Sequence, residues 1–284
     1  MAGITTMNDR YLMHYGVKGM KWGVRKKYYT SSMNSDRVLK KGTVYQNISR
    51  NSKRDISRNT PIYTSHTYND NNAYAGRYAD SMKFLGDTPY KNVLELNKDI
   101  KVPSQRKAAE YFLDIYKKDP KGVSDAIGQA YADLDWLNGI KKFRNWNANR
   151  ISKKFQSKGE NWVLNKGYMT FNQTMMTDKK YKLRTEYYKV LKKNGYGGLL
   201  DVYDIQTGYG AEDPIIFIHP KGSMKLKQSK PLSNNEIILA NARYQYNKAL
   251  KERKSFNNII NADQPYRSAK KYLKETEKKY GSSK

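Results

Sequence analysis

No cysteine occurs in the 284 residues. That excludes disulfides, thiolate metal sites and cysteine nucleophiles in one step. Histidine is limited to His14, His66 and His219, too few for a histidine-rich zinc site. No apolar run approaches the length that crosses a bilayer, and the N-terminal residues lack the apolar core of a secretory signal. The expectation is therefore a protein made in a cytoplasm, with no metal and no membrane span. Neither the Walker Gly-x-x-x-x-Gly-Lys-Ser/Thr pattern nor a Gly-x-Gly-x-x-Gly after a strand is present. Acids are also scarce, at 26 Asp+Glu against 54 Lys+Arg.

That imbalance leaves a net charge of +28. A field of this sign favours nucleic acid, anionic surfaces or an acidic partner. Tyrosine, with 25 residues against 7 phenylalanines, supplies most of the aromatic area. A core bounded by amphipathic rings is expected from such a ratio. Cations concentrate early: no acid lies between Asp9 and Asp36. Inside that stretch, His14–Lys27 joins glycines at 16, 19 and 23 to Val17, Met20 and Trp22. The glycines make a regular helix costly. The segment reads as a short recognition peptide, with Val17, Met20 and Trp22 as anchors and the cations as rim.

Composition and periodicity divide the chain into three regions. Residues 1–35 read as a flexible basic lead carrying the recognition peptide. Residues 36–233 read as an α+β domain with a helical insert near 104–160, and 234–284 as a basic helical tail. Thr43–Ile48, Pro61–Thr67 and Lys91–Leu96 alternate like strands. A helix is expected over 71–82, with Tyr74 and Tyr78 four residues apart on one face. Ser104 is the expected cap of a second helix and Ser124 of a third. A further helix should stop at Asn194-Gly195. Gly197–Val202 and Pro214–Ile218 read as buried strands. Strands, then helices, then strands again favour an α+β fold in which separated strands share one sheet.

Two resemblances add to this reading. His14–Lys27 resembles the HYGVKGMKWGVRK-like box found near one end of many otherwise unrelated proteins of tailed phages. The likeness implies a virion protein that docks through the box on a phage capsid or packaging protein. Such a protein is synthesised in the host bacterial cytoplasm and returned there on delivery. The body resembles the ADP-ribosyltransferase family in three pieces taken in order: Lys41–Ser49, Ile62–Thr67 and Lys192–Phe217. This implies a split antiparallel or mixed sheet with a helical insert and a C-terminal helix, and NAD as substrate. It further implies Glu212 as the catalytic carboxylate. Gln46, Thr64 and Ser65 would contact the dinucleotide, with Tyr74 or Tyr78 stacking on nicotinamide. The family's first-strand arginine or histidine is replaced by Tyr45 and Gln46, and Arg50 beyond the strand is the candidate substitute. Glu212-Asp213 stands where an acidic pair separated by one residue is usual, which allows a catalytically silent relative.

A reading without catalysis stands beside it. In residues 141–160, Lys141, Lys142, Arg144, Arg150, Lys153 and Lys154 are interleaved with Phe143 and Trp146. Cations that meet phosphates beside rings that stack on bases suit a DNA- or RNA-binding or structural protein of the particle. An amphipathic surface helix would show the same pattern.

Overall fold

The structure, a computed structural model, describes residues 35–57, 60–66, 73–84, 86–133, 141–174, 182–202, 204, 213–255 and 263–281. It is a mixed α+β protein whose described strand ladders are antiparallel. The chain divides into two units. One comprises residues 38–102 and 197–284, and the other residues 1–37 and 103–196.

The first unit holds β1 (Arg37–Leu39), β2 (Val44–Arg50), β3 (Ile62–His66), α1 (Ala73–Phe84), β4 (Pro89–Leu96) and β5 (Ile100–Val102). The second unit's helices intervene before this one resumes at residue 197 with β6 (Gly198–Leu200), β7 (Ile215–Phe217) and β8 (Met224–Pro231). Six strands form one sheet in the order β6-β7-β3-β2-β4-β8, while β1 and β5 form a separate pair. The central strands are buried on both sides: Tyr45, Gln46, Asn47 and Ile48 of β2 are all buried. The edge strand β8 is instead lysine-rich. Its Lys225 and Lys227 ammonium groups lie 2.7 and 3.1 Å from the two oxygens of Glu95 on β4. Lysines on an edge oppose pairing with another chain.

One face of the sheet is covered by helices. Ile48 packs with Tyr74, Ala75, Ala79 and Met82 of α1 and with Leu232, Ile237 and Ala240. The last two belong to a long helix running from Asn234 to Ser255. Its start is fixed by a capping box: the Ser233 N–H donates to Glu236 Oε2 at 2.9 Å, and the Glu236 N–H donates to Ser233 Oγ at 3.3 Å. A Cβ on Gly76 would lie 2.2 Å from the Ala240 carbonyl oxygen, so this helix and α1 meet backbone to backbone. A final helix, Asp263–Tyr280, packs on the long one, with Arg243 Nη2 3.4 Å from Glu277 Oε1. Residues 234–255 are thus part of the hydrophobic core of this unit.

The second unit is helical: α2 (Gln105–Lys118), α3 (Pro120–Asp133), α4 (Lys141–Gln156), α5 (Glu160–Trp162), a π-helical turn (Val163–Gly167), α6 (Tyr168–Thr174) and α7 (Leu183–Lys193). The two C-terminal helices of the first unit, Asn234–Ser255 and Asp263–Tyr280, are α8 and α9. Ser104 caps α2 as the sequence predicts, accepting from the Lys107 N–H at 3.2 Å. Ser124 does not cap α3. The helix opens four residues earlier at Pro120, where a missing N–H costs nothing, and Asp119 Oδ1 accepts from the Gly122 N–H at 2.8 Å. α7 stops at the expected Asn194-Gly195, with Gly195 at φ +80° and the Tyr196 N–H returning to the Leu191 carbonyl at 3.0 Å. The helical insert therefore runs to residue 196, beyond the 104–160 read from the sequence. Its core is aromatic. Phe112 stacks on Phe171 with centroids 4.5 Å apart, and Tyr187 meets Phe171 edge-on at 5.1 Å. The fully buried Tyr187 hydroxyl donates to the Ala108 carbonyl at 2.9 Å, which lets a tyrosine serve as core.

Candidate functional site

The centre of the six-stranded sheet carries an unusual density of polar side chains, and strand register decides which of them meet. β2 and β3 pair at two described positions, Tyr45 with His66 and Gln46 with Ser65. Beyond them no further backbone pair between the two strands is described. The Asn47 side chain bridges the opening, its Nδ2 donating to the Tyr63 carbonyl at 2.8 Å. The Tyr74 hydroxyl lies 3.5 Å from the same oxygen. On its other side β2 continues beside β4 for seven residue pairs, Val44 with Glu95 through Arg50 with Pro89. The sheet is therefore forked at Gln46 and Ser65.

Both residues at the fork are buried, Gln46 at 2% and Ser65 at 0% exposure. Gln46 Oε1 is buried and has no hydrogen-bond partner among the described residues. A buried carbonyl oxygen left in that state loses the solvation it would have in water. Thr64, next to Ser65, points to the opposite face of β3 by strand alternation. Its hydroxyl donates to the Ile215 carbonyl of β7 at 2.8 Å, a bond that ties two strands together. Tyr74 is 2% exposed and its ring belongs to the apolar cluster under Ile48, so its hydroxyl alone faces the fork. Tyr78 lies one turn further along α1, and its side chain is not among those described.

A second polar layer lies on the Asn47 face. Asn92 of β4 is directly opposite Asn47 of β2 and Ser229 of β8, and it is fully buried. Its Nδ2 donates to Ser49 Oγ at 2.8 Å. Its Oδ1 accepts from Ser229 Oγ at 2.8 Å and from the Arg54 N–H at 2.9 Å. Arg54 then reaches the other branch of the fork, with Nη2 donating to the Pro61 carbonyl at 3.0 Å just before β3. Its Nε is buried with no partner among the described residues. Burial holds this guanidinium below its usual basicity, partly offset by the Asp55 carboxylate. Arg50, the substitute read from the sequence, is engaged elsewhere: its Nη1 lies 3.5 Å from Asp87 Oδ2 and its side chain is 60% exposed. The guanidinium beside the fork is that of Arg54. Sequence inspection misses it because the loop position of Arg54 has no periodicity to read.

Glu212 lies outside the described residues. The chain is described again from Asp213 onward. Asp213 has φ +41°, a left-handed conformation that aspartate tolerates better than most residues. Pro214 leads into β7, where Ile215 pairs with Thr64. The strand that Glu212 precedes thus lies alongside the Thr64–Ser65 strand. Val17, Met20 and Trp22 also lie outside the described residues.

Residues 5–28 match a family of unknown function, DUF7211. Neither a curated protein nor a solved structure matches the chain. The matched segment contains His14–Lys27, and residues 29–284 lie outside the match.

In the helical unit, α4 carries the cation-rich candidates. Lys141, Lys142 and Arg144 fall in its first turns, and their side chains are not among those described. Asn147, Ala148, Ile151, Ser152 and Phe155 are buried, so the helix is amphipathic. A Cβ on Gly128 would lie 2.4 Å from the Ala148 carbonyl oxygen, which brings α3 and α4 together closely. Trp146 is on the opposite side, 60% exposed, with the Arg150 guanidinium 5.2 Å from its ring centroid. Lys153 and Lys154 are exposed on the same side. Among the described residues no group of three or more His, Asp or Glu side chains is placed to hold a metal, and no described helix is long and apolar enough to cross a membrane.

Proposed function

We propose that the chain is a virion-associated protein of a tailed phage whose forked-sheet unit is an ADP-ribosyltransferase-like module using NAD as substrate. The observation that carries this reading is the fork itself. Gln46 and Ser65 face each other at the last β2–β3 pair, and a buried Gln46 acceptor lacks a described partner. An acceptor of this kind is satisfied by a carboxamide N–H or a ribose hydroxyl, both of which NAD carries. Arg54 adds a guanidinium beside the opening, suited to an anionic group such as a diphosphate.

The chemistry assigned to Glu212 rests on charge. Cleaving the nicotinamide–ribose bond leaves positive charge on the sugar, and a carboxylate beside it stabilises that state more than the ground state. The box at 14–27 supplies the address: its resemblance to phage boxes supports docking on a capsid or packaging protein. The module then acts in the host cytoplasm after delivery, with a host macromolecule as acceptor.

Labelled NAD, purified full-length protein and host lysate test the enzymatic part. The parent is expected to bind NAD and transfer label. Glu212→Gln should retain binding while losing on the order of a hundredfold to a thousandfold in nicotinamide release. Absence of both binding and transfer in the parent sinks the NAD reading. The address is tested separately by particle incorporation. Trp22→Ala should reproduce most of the loss caused by deleting residues 1–35, since a central aromatic anchor carries much of a peptide's binding energy. Equal incorporation of parent and deletion would refute the docking role.

A further inference from the structure

The exposed side of α4 continues onto the turn beyond its C-terminus. Lys154 has its Nζ 5.9 Å from the Trp162 ring centroid. Partial desolvation of its stem lowers its basicity first, and the neighbouring charges of Arg150, Lys166 and Lys158 lower it further. Lys158 lies just beyond α4 and Lys166 in the π-helical turn, and both are exposed. A π turn carries one extra residue and re-aims the rest of the helix, and such turns recur at functional sites. Here it carries Lys166, the third cation beside Lys154. Glu160, which opens α5, is paired at 2.9 Å with Lys117 of α2. The result is a cluster of like charges held together by a rigid amphipathic helix, with an indole standing exposed at one end.

Like charges gathered this way repel one another, and the core contacts of α4 come from the opposite side of the helix. An indole at 60% exposure is likewise not used by the core. A polyanion that also offers flat rings satisfies both features at once. Duplex DNA presents phosphates but keeps its bases stacked inside. A lipid surface presents phosphates with no ring to stack on.

We propose that Arg150, Lys153, Lys154, Lys158 and Lys166 contact the phosphates of single-stranded nucleic acid while Trp146 stacks on one of its bases. This is independent of the NAD reading, since it uses residues of the helical unit alone. It extends the α4 pattern seen in the sequence to Lys158, one turn beyond Lys154, and to Lys166 in the π-helical turn.

The test is fluorescence anisotropy of a labelled single-stranded oligonucleotide with the full chain across salt concentrations. Five phosphate contacts at a slope of about −0.7 each predict affinity falling about a hundredfold between roughly 50 and 200 mM salt. Trp146→Ala should weaken binding about tenfold with the salt slope unchanged, because it removes stacking and no charge. Lys153→Ala combined with Lys158→Ala should flatten the slope by about 1.4. All three positions are exposed, and circular dichroism verifies that the variants stay folded. Unchanged affinity in Trp146→Ala overturns the proposal, since the chain's general positive charge would then account for the binding. Tighter binding to the matching duplex, or binding to anionic phosphatidylglycerol vesicles without binding to the oligonucleotide, also overturns it.

Discussion

The Tyr196 hydroxyl donates a 2.6 Å hydrogen bond to Asp36 Oδ2, joining residues 160 positions apart in sequence. The same carboxylate accepts from the Ser104 N–H through Oδ1 at 3.0 Å and from the Lys107 ammonium at 3.0 Å. Ser104 caps the first helix of the inserted unit, and Tyr196 is the unit's last residue. Asp36 thus fastens the two ends of the insert to each other.

Burial raises the Asp36 pKa, but the bonds from Tyr196, Ser104 and Lys107 outweigh it and hold the carboxyl below its ordinary value. A depressed folded-state pKa gives stability that is present above the unfolded value and is lost as pH falls through the folded one. Asp36→Ala should therefore cost about 1–2 kcal/mol at neutral pH, a modest figure because the side chain is partly exposed. The gap between parent and variant in urea denaturation should close at low pH, below the usual carboxylate range near ~3.9. A gap that persists undiminished into strong acid would contradict this role.

The approach of α1 to α8 at Gly76 makes a different kind of prediction. A methyl at this position meets the Ala240 carbonyl carbon at 2.5 Å as well as its oxygen, and both are backbone atoms that cannot swing aside. Gly76→Ala gains helix propensity of about 1 kcal/mol, yet the forced separation of the helices should cost more, for a net loss of about 1–3 kcal/mol. Thermal unfolding measures it. A variant as stable as the parent would mean that the helices separate without strain.

Much of this architecture is legible in the sequence because single segments carry their own signals. Alternation marks β2 and β4, Ser104 marks the start of α2, and Asn194-Gly195 marks the end of α7. β8 escapes notice because it is an edge strand. Its lysines read as a polar loop until Glu95 supplies their partner across the ladder. Asp119 is overlooked as the cap of α3 because Asp-Pro also reads as a helix stop, which it is for α2. Burial of the candidate side chains is the least legible quantity. Nothing local distinguishes Thr64, whose hydroxyl is committed to Ile215, from Ser65 facing Gln46. That difference is set by pairing with β7, some 150 residues away in sequence.

Asn92 illustrates the same dependence on register and can be tested directly. It bonds to Ser49, Ser229 and the Arg54 backbone from a fully buried position. Asn92→Ala removes one side of all three bonds and leaves the Arg54 N–H without this acceptor. The expected cost is about 2–4 kcal/mol, more than a surface amide would show. Hydrogen exchange should localise the effect, with the Arg54 amide losing protection before the rest of the sheet. Uniform loss of protection would instead indicate global destabilisation with no special role for this network.

Gln46 offers the sharpest separation of function from stability. Its Oε1 is buried without a described partner, so the folded protein gains little from the polar atom and bears its desolvation. Gln46→Met keeps the length of the side chain and replaces the amide with an apolar end. Thermal stability should stay equal or rise by up to about 1 kcal/mol, the behaviour of sites that trade stability for activity. NAD affinity, measured by calorimetry, should fall about tenfold, the effect of losing one or two buried hydrogen bonds to a ligand. A binding loss matched by an equal loss of stability would assign Gln46 to the scaffold. Unchanged binding with raised stability would leave the amide without a function at the fork and would move attention to Arg54 as the group that recognises the dinucleotide.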